Sequence, residues 1–241
     1  MPRDNCRDPM FRYRRHEEDV IVLAVRWYIS YRLSLRDLVE MLGDRGLDLH
    51  PSTIWRWVQT FVPQFEKRWT RLLKPVGASW RVDETYVPIR GRWCYLYRAV
   101  DRNGKTVDFL LRRDRGVPAA KALFRRALAS TLPRVPRKVT IDGHRPGRSA
   151  LWSLRREHPC WRNVMVRTNR YLNNIIEQDH RAVKRRCSAM HGLKSFRASK
   201  ITLAGIELAH RIRKRQLTLG HVRGRRRHTM QSAWDRAVFG G

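Results

Sequence analysis

The chain has 241 residues, 52 of them lysine or arginine against 21 acidic ones, for a formal charge of +31. That length suits one catalytic domain plus a smaller module, and a positive surplus spread over the whole chain points to a polyanion, nucleic acid above all. It does not suit a membrane or secreted protein: the longest apolar stretch, Val20 to Val25, is far short of a bilayer span, and Met1 to Arg15 lacks the apolar core of a signal peptide.

The first 16 residues read as a flexible basic arm. Apolar residues at Val20, Leu23, Ala24, Trp27 and Tyr28 then fall at helical spacing. A second helix is expected over Leu35 to Leu42, with Ser34 as its cap and Asp37 complementing the dipole at its N-terminus. Gly43 and Gly46 break it, and His50-Pro51-Ser52 starts a third. Residues 17–75 thus read as an all-α helix-turn-helix domain, with Thr53, Arg56 and Gln59 facing outward toward base edges of double-stranded DNA. Pro63 punctuates this region, and Phe65 to Leu73 reads as a separate connecting helix.

Near residue 76 the pattern changes to short strands rich in β-branched and aromatic residues: Trp80 to Val87, Trp93 to Val100 and Thr106 to Leu111. Gly91 separates the first two, and Asp101-Arg102-Asn103-Gly104 is a hairpin turn signal between the second and third. A helix from Pro118 to Ala129 follows, then a strand from Lys138 to Asp142, a helix from Ser149 to Glu157, a strand at Val164 to Val166 and a long helix from about Asn173. This order makes residues 76–216 an α/β domain on a five-stranded sheet. The apolar helix from Ile201 to His210 is expected to pack on that core, and residues 217–241 read as a mobile basic tail.

Four cysteines, Cys6, Cys94, Cys160 and Cys187, form no C-x-x-C pair and read as reduced thiols. Nine tryptophans are many for this length. Most belong in cores, and one beside a basic surface can stack on a base, but the sequence does not say which.

Three carboxylates fall where such a sheet can bring them together: Asp83 in the first strand, Asp142 ending the fourth, Glu177 in the last helix. Each is embedded in apolar neighbours and so needs a partner. In a chain this basic, the economical partner is a pair of hard divalent cations, Mg2+ or Mn2+, which suit oxygen ligands. Two such ions serve in-line displacement at phosphorus. On the same helix, Glu177, Arg181 and Lys184 lie at i, i+4 and i+7, so cations stand beside the carboxylate where phosphates would lie. Lys184 is the first phosphate-contact candidate, with Arg181 and Arg185 beside it. Glu84 and Asp179, adjacent to triad members, point elsewhere and are weaker ligands, and His180 is set aside as structural.

These residues resemble the bacterial DDE transposases, and most closely the insertion sequence six family. Thirty-four residues separate Asp142 from Glu177, the spacing by which that family's triad is named. The stretch Tyr171 to Arg186 is similar to its third-acid motif almost throughout, and Trp80 to Val87 to its first. Ala24 to Tyr28 and Thr53 to Gln59 also look like family signatures. The resemblance covers residues 11–216. It implies a ribonuclease H-like catalytic fold with helices on both faces of the sheet, Asp83, Asp142 and Glu177 as catalytic and metal-binding residues, and magnesium dependence. It further implies binding of terminal inverted repeats, replicative cointegrate formation, and a homodimer or higher homo-oligomer on DNA. Cytoplasmic, nucleoid-associated residence follows from that reading. Gly143 to Arg148 is more basic and more broken by proline and glycine than the family pattern, which leaves Asp142 in place and the start of the next helix open. Two alternatives stand beside this one. A catalytically inactive DNA-binding protein or repressor would bind without metal-dependent chemistry, and a nuclease of the same fold acting on RNA would compete differently for duplex DNA and RNA.

Overall fold

The computed structural model describes residues 8–12, 15–142, 145–169, 174–190, 193–219 and 229–239. They form two compact units, one of residues 75–184 and one that joins residues 1–74 to 185–241.

The helical unit contains α1 (Glu18–Ser30), α2 (Leu35–Gly43) and α3 (Pro51–Thr70). Ser34 and Asp37 close a reciprocal capping box on α2, with Ser34 N donating to Asp37 Oδ2 at 2.7 Å and Asp37 N to Ser34 Oγ at 3.1 Å. His50 caps α3, and Pro51 begins it. The expected break at Pro63 does not occur. One 20-residue helix runs through it, because Ile54, Trp57, Val58, Phe61, Val62, Phe65 and Trp69 make one continuous buried stripe. A proline inside a helix costs about 3 kcal/mol, and seven buried side chains at roughly 1.5–3 kcal/mol each outweigh it.

Three further expectations for this unit are corrected by what packs on α3. The helix α7 (Phe196–Arg213) packs on α1 and α3, so the chain returns to the helical unit after residue 184. Its apolar residues find the matching stripe there, with Gly205 against Ile29 and Val62. Within the presumed arm, Phe11 is fully buried and stacks on Phe61 at 4.9 Å, while Arg68 grips Asp8 through both Oδ atoms at 2.5 and 2.6 Å. Within the presumed tail, α8 (Met230–Phe239) buries Ala233, Trp234, Ala237 and Val238, and Arg68 Nη1 donates to the Val238 carbonyl at 2.6 Å. Residues 1–7, 13–14 and 220–228 lie outside the described residues.

The second unit is built on β1 (Ser79–Ile89), β2 (Arg92–Asp101), β3 (Thr106–Arg112), β4 (Lys138–Ile141) and β5 (Met165–Thr168), in sheet order β3-β2-β1-β4-β5. The first three are antiparallel neighbours, whereas β4 and β5 run parallel to β1. Arg90 and Gly91, both at positive φ, make the tight turn between β1 and β2. Asp101 holds the next turn, its Oδ1 accepting from Asn103 N and Lys105 N, both at 2.9 Å.

Parallel strands need crossovers, supplied by α4 (Val117–Thr131) and α5 (Arg145–Glu157). Both cover one face, where Trp80, Val82, Tyr97, Val139 and Ile141 meet Leu123, Phe124, Leu151 and Leu154 around a buried Trp161. The helix α5 starts at Arg145, earlier than Ser149, because Pro146 is tolerated in a first turn. The helix α6 (Asn174–Ser188) packs on the opposite face through Ile176, Asp179, His180 and Val183, all buried at helical spacing. This mixed five-stranded sheet with helices on both faces is the expected ribonuclease H-like arrangement, joined to an all-α unit that holds the N-terminal helices.

Candidate active site

Side chains alternate along β1, so Trp80, Val82 and Glu84 face α4 and α5 while Asp83 faces the side of α6. The register pairs Val82 with Ile141 across the parallel β1–β4 ladder. One residue further on, Asp83 in the middle of β1 lies next to Asp142 just past the end of β4, and both contribute to the lining of a small cleft with Glu84, Tyr97 and Pro146. Parallel strands joined by crossovers place such a cleft at their carboxyl ends.

Burial pushes the Asp83 carboxyl up to about 7. The Glu84 backbone N–H, 2.8 Å from Asp83 Oδ1, opposes that rise, while the charges of Asp142, Glu84 and Glu177 add to it. Glu177, in the first turn of α6, is exposed and within electrostatic reach of Asp83. Asp83 Oδ2 lies 3.6 Å from Nδ1 of His180. Burial first, then the charges of Arg98 and Lys184, hold that histidine down to about 3, so the ring is neutral at pH 7.

Asp179 is not a ligand candidate, because its carboxylate pairs with Arg98 Nη2 of β2 at 3.2 Å in the protein interior. Glu84 is tied to Arg115 on the other face of the sheet. Arg181, Lys184 and Arg185 are all exposed on α6, as their spacing requires.

The donor set is chemically suited to hard divalent cations. Asp83, Asp142 and Glu177 offer only carboxylate oxygens, and their mutual repulsion is what a cation relieves. Among the described residues, no three His, Cys, Asp or Glu side chains already form an ion cage. Asp83 and Asp142 contribute to one cleft, and Glu177, on α6, is within electrostatic reach of Asp83.

On α3 the three expected base-facing residues part company. Arg56 is exposed and folds back on Ser52, donating through Nε to its carbonyl and through Nη2 to its Oγ, both at 3.2 Å. Thr53 is half-buried in the first turn. Gln59 is corrected: its Nε2 donates to Thr202 Oγ1 of α7 at 3.2 Å, so it faces the unit's interior.

Sequence reasoning missed Trp55, 43% exposed beside Arg56, although its place off the buried stripe marked it. It also missed Arg98, a lone cation in the apolar run of β2. No helix of the described residues is long and apolar enough to cross a membrane.

Comparison with known proteins adds an independent line. A family model described as a DDE domain matches residues 77–216. The transposase for insertion sequence-like element IS431mec of Staphylococcus aureus is 38% identical over 211 residues, spanning 85% of this chain and 89% of that protein. The transposase for insertion sequence element IS257 in transposon Tn4003 of the same species is similar to the same extent. Among solved structures, a chain of the simian T-cell lymphotropic virus intasome in complex with PP2A regulatory subunit B56 gamma is 11% identical at a TM-score of 0.37. It covers 76% of this chain and 66% of that one, a likeness too distant to bear on the assignment.

Proposed function

This chain belongs to the bacterial DDE transposases of the insertion sequence six family, and we propose that it cuts DNA at the ends of a mobile element and joins those ends to target DNA. The observation that carries this reading is the site itself: Asp83 and Asp142, on neighbouring parallel strands, contribute to one cleft, and Glu177 is near enough to raise the first of them. In this reading Asp83, Asp142 and Glu177 hold two magnesium or manganese ions. When bound, such ions activate the attacking hydroxyl and stabilise the leaving oxygen of an in-line displacement.

The chain's own residues do the rest. The Arg98–Asp179 pair fixes α6 on the sheet and thereby sets where Glu177 stands. His180 is beside Asp83 Oδ2 and limits its orientation. Lys184, Arg181 and Arg185 hold phosphates next to the scissile bond, contacts that supply affinity without sequence information. Thr53 and Arg56 of α3 face the terminal inverted repeats in duplex DNA, and Gln59 supports them from behind.

Joining two ends requires both to be held at once, so a homodimer or larger homo-oligomer assembles on DNA, and the product is a cointegrate. The protein acts in the cytoplasm, on the nucleoid. Incubating it with a labelled element end tests this reading: nicking and joining that need magnesium are expected. Binding without any metal-dependent cleavage would instead establish an inactive DNA-binding protein.

A further inference from the structure

The helices α4 and α5 cover only part of their face of the sheet. Along β2, Tyr97 belongs to the core beneath them, Tyr95 is half-buried at its margin, and Trp93 is 63% exposed. Across the ladder Tyr86 pairs with Tyr95 and Pro88 with Trp93, so these rings share the uncovered face near the Arg90-Gly91 turn. The ring centroids of Tyr86 lie 5.5 Å from Tyr95 and 6.1 Å from Trp93, with planes inclined by 60° and 74°. Such inclined pairs leave ring faces open that stacking would hide.

Arginines surround the strip. Arg90 and Arg92 flank the turn, Arg113 is exposed, and Arg115 lies within electrostatic reach of Tyr86 and Tyr95. Glu84, one side-chain repeat or about 7 Å from Tyr86, lies on this same face and is tied to Arg115.

We propose that Trp93, Tyr86 and Tyr95 form a stacking platform for the unpaired nucleobases of single-stranded DNA. The occupant follows from the chemistry. Open aromatic faces offer affinity to π-systems of any base, and the arginine rim suits phosphates and repels a second copy of a chain charged +31. In a duplex the base faces are covered by their neighbours, so only an unpaired strand presents them. The inference rests on the nucleic-acid reading above, but its test needs no catalysis.

Binding of a labelled oligodeoxythymidine to the full chain, without divalent ions, reads the platform directly. Trp93→Ala and Tyr86→Ala are each expected to weaken it on the order of tenfold, with Trp93→Phe close to the parent and duplex affinity unchanged. The dependence of affinity on salt separates the two components. Its slope stays constant in Trp93→Ala and falls by about 0.7 in Arg92→Ala. Indole fluorescence should be quenched by the oligonucleotide in the parent and less so in Trp93→Phe. A Trp93→Ala, Tyr86→Ala double variant that binds the oligonucleotide like the parent overturns the proposal. So does one that keeps this binding and changes only self-association in sedimentation, which would give the face to a second copy. Cleavage of element ends by the same variants is scored separately, so failure of the transposase reading is distinguishable from failure of the platform.

Discussion

Arg98 stands directly opposite Asp83 on the β1–β2 ladder and carries its charge to Asp179 of α6, 3.2 Å away, with no exposed surface of its own. One buried cation thus connects the strand that bears the first carboxylate to the helix that bears the third. Removing one member strands a buried charge. Arg98→Met is expected to destabilise the protein by about 3–5 kcal/mol in denaturant unfolding, and Asp179→Leu added to it to restore most of that loss. The double variant should still cut DNA poorly, because α6 has lost the contact that orients it. Parental activity in the stable double variant would show that the pair is dispensable for positioning.

The carboxylates themselves are expected to be separable from binding. Asp83→Asn, Asp142→Asn and Glu177→Gln should each reduce end cleavage and joining to background while retention of labelled DNA in a gel is unchanged. Any one of them joining ends at the parental rate removes that residue from the catalytic set.

The Asp83 carboxyl also sets a pH dependence of stability. Its folded-state value of about 7 lies above its ordinary 3.8, so the folded protein holds a proton that the unfolded chain releases. Stability from this group is therefore full below about pH 4 and falls as pH rises toward 7. Asp83→Asn, which cannot ionise, should be more stable than the parent in metal-free buffer at neutral pH, by an amount on the order of a few kcal/mol, and so melt at a higher temperature. The two should converge at pH 4; equal melting throughout would show that Asp83 carries no buried charge.

On α3, exposed and inward residues should respond differently. Arg56→Ala is expected to weaken duplex binding and lower its salt slope by about 0.9. Gln59→Ala, which loses only the contact to Thr202, should cost about 1 kcal/mol of stability and leave specificity unchanged. A change of preferred end sequence in the Gln59 variant would return that residue to the DNA face.

Gly205 of α7 approaches two helices closely: a Cβ there would lie 3.0 Å from Ile29 Cγ2 and 3.1 Å from Val62 Cγ2. Alanine gains up to about 1 kcal/mol as a helix former, but forcing a methyl against two stiff branched side chains costs about 1–3 kcal/mol. Gly205→Ala should therefore lower the melting temperature, and a rise would mean that α7 moves aside freely.

What the amino-acid sequence determined by itself was everything local in origin. Ser34 and Asp37 cap their own helix, Asp101 to Gly104 close their own turn, and the apolar runs of β1 to β5 announce strands, because these signals act within a few residues. The spacing of Asp142 and Glu177 was legible for the same reason: position along the chain is all that the motif needs. Only the tertiary structure decided matters that depend on a distant partner. Pro63 remains inside a helix because α3 carries one unbroken buried stripe, and Gln59 turns inward because Thr202, far along the chain, is there to accept its hydrogen bond. His180 and Asp179 look alike in sequence, as polar neighbours of the third acid. They receive their separate roles from Asp83 and Arg98, two cross-strand partners whose positions no local pattern encodes.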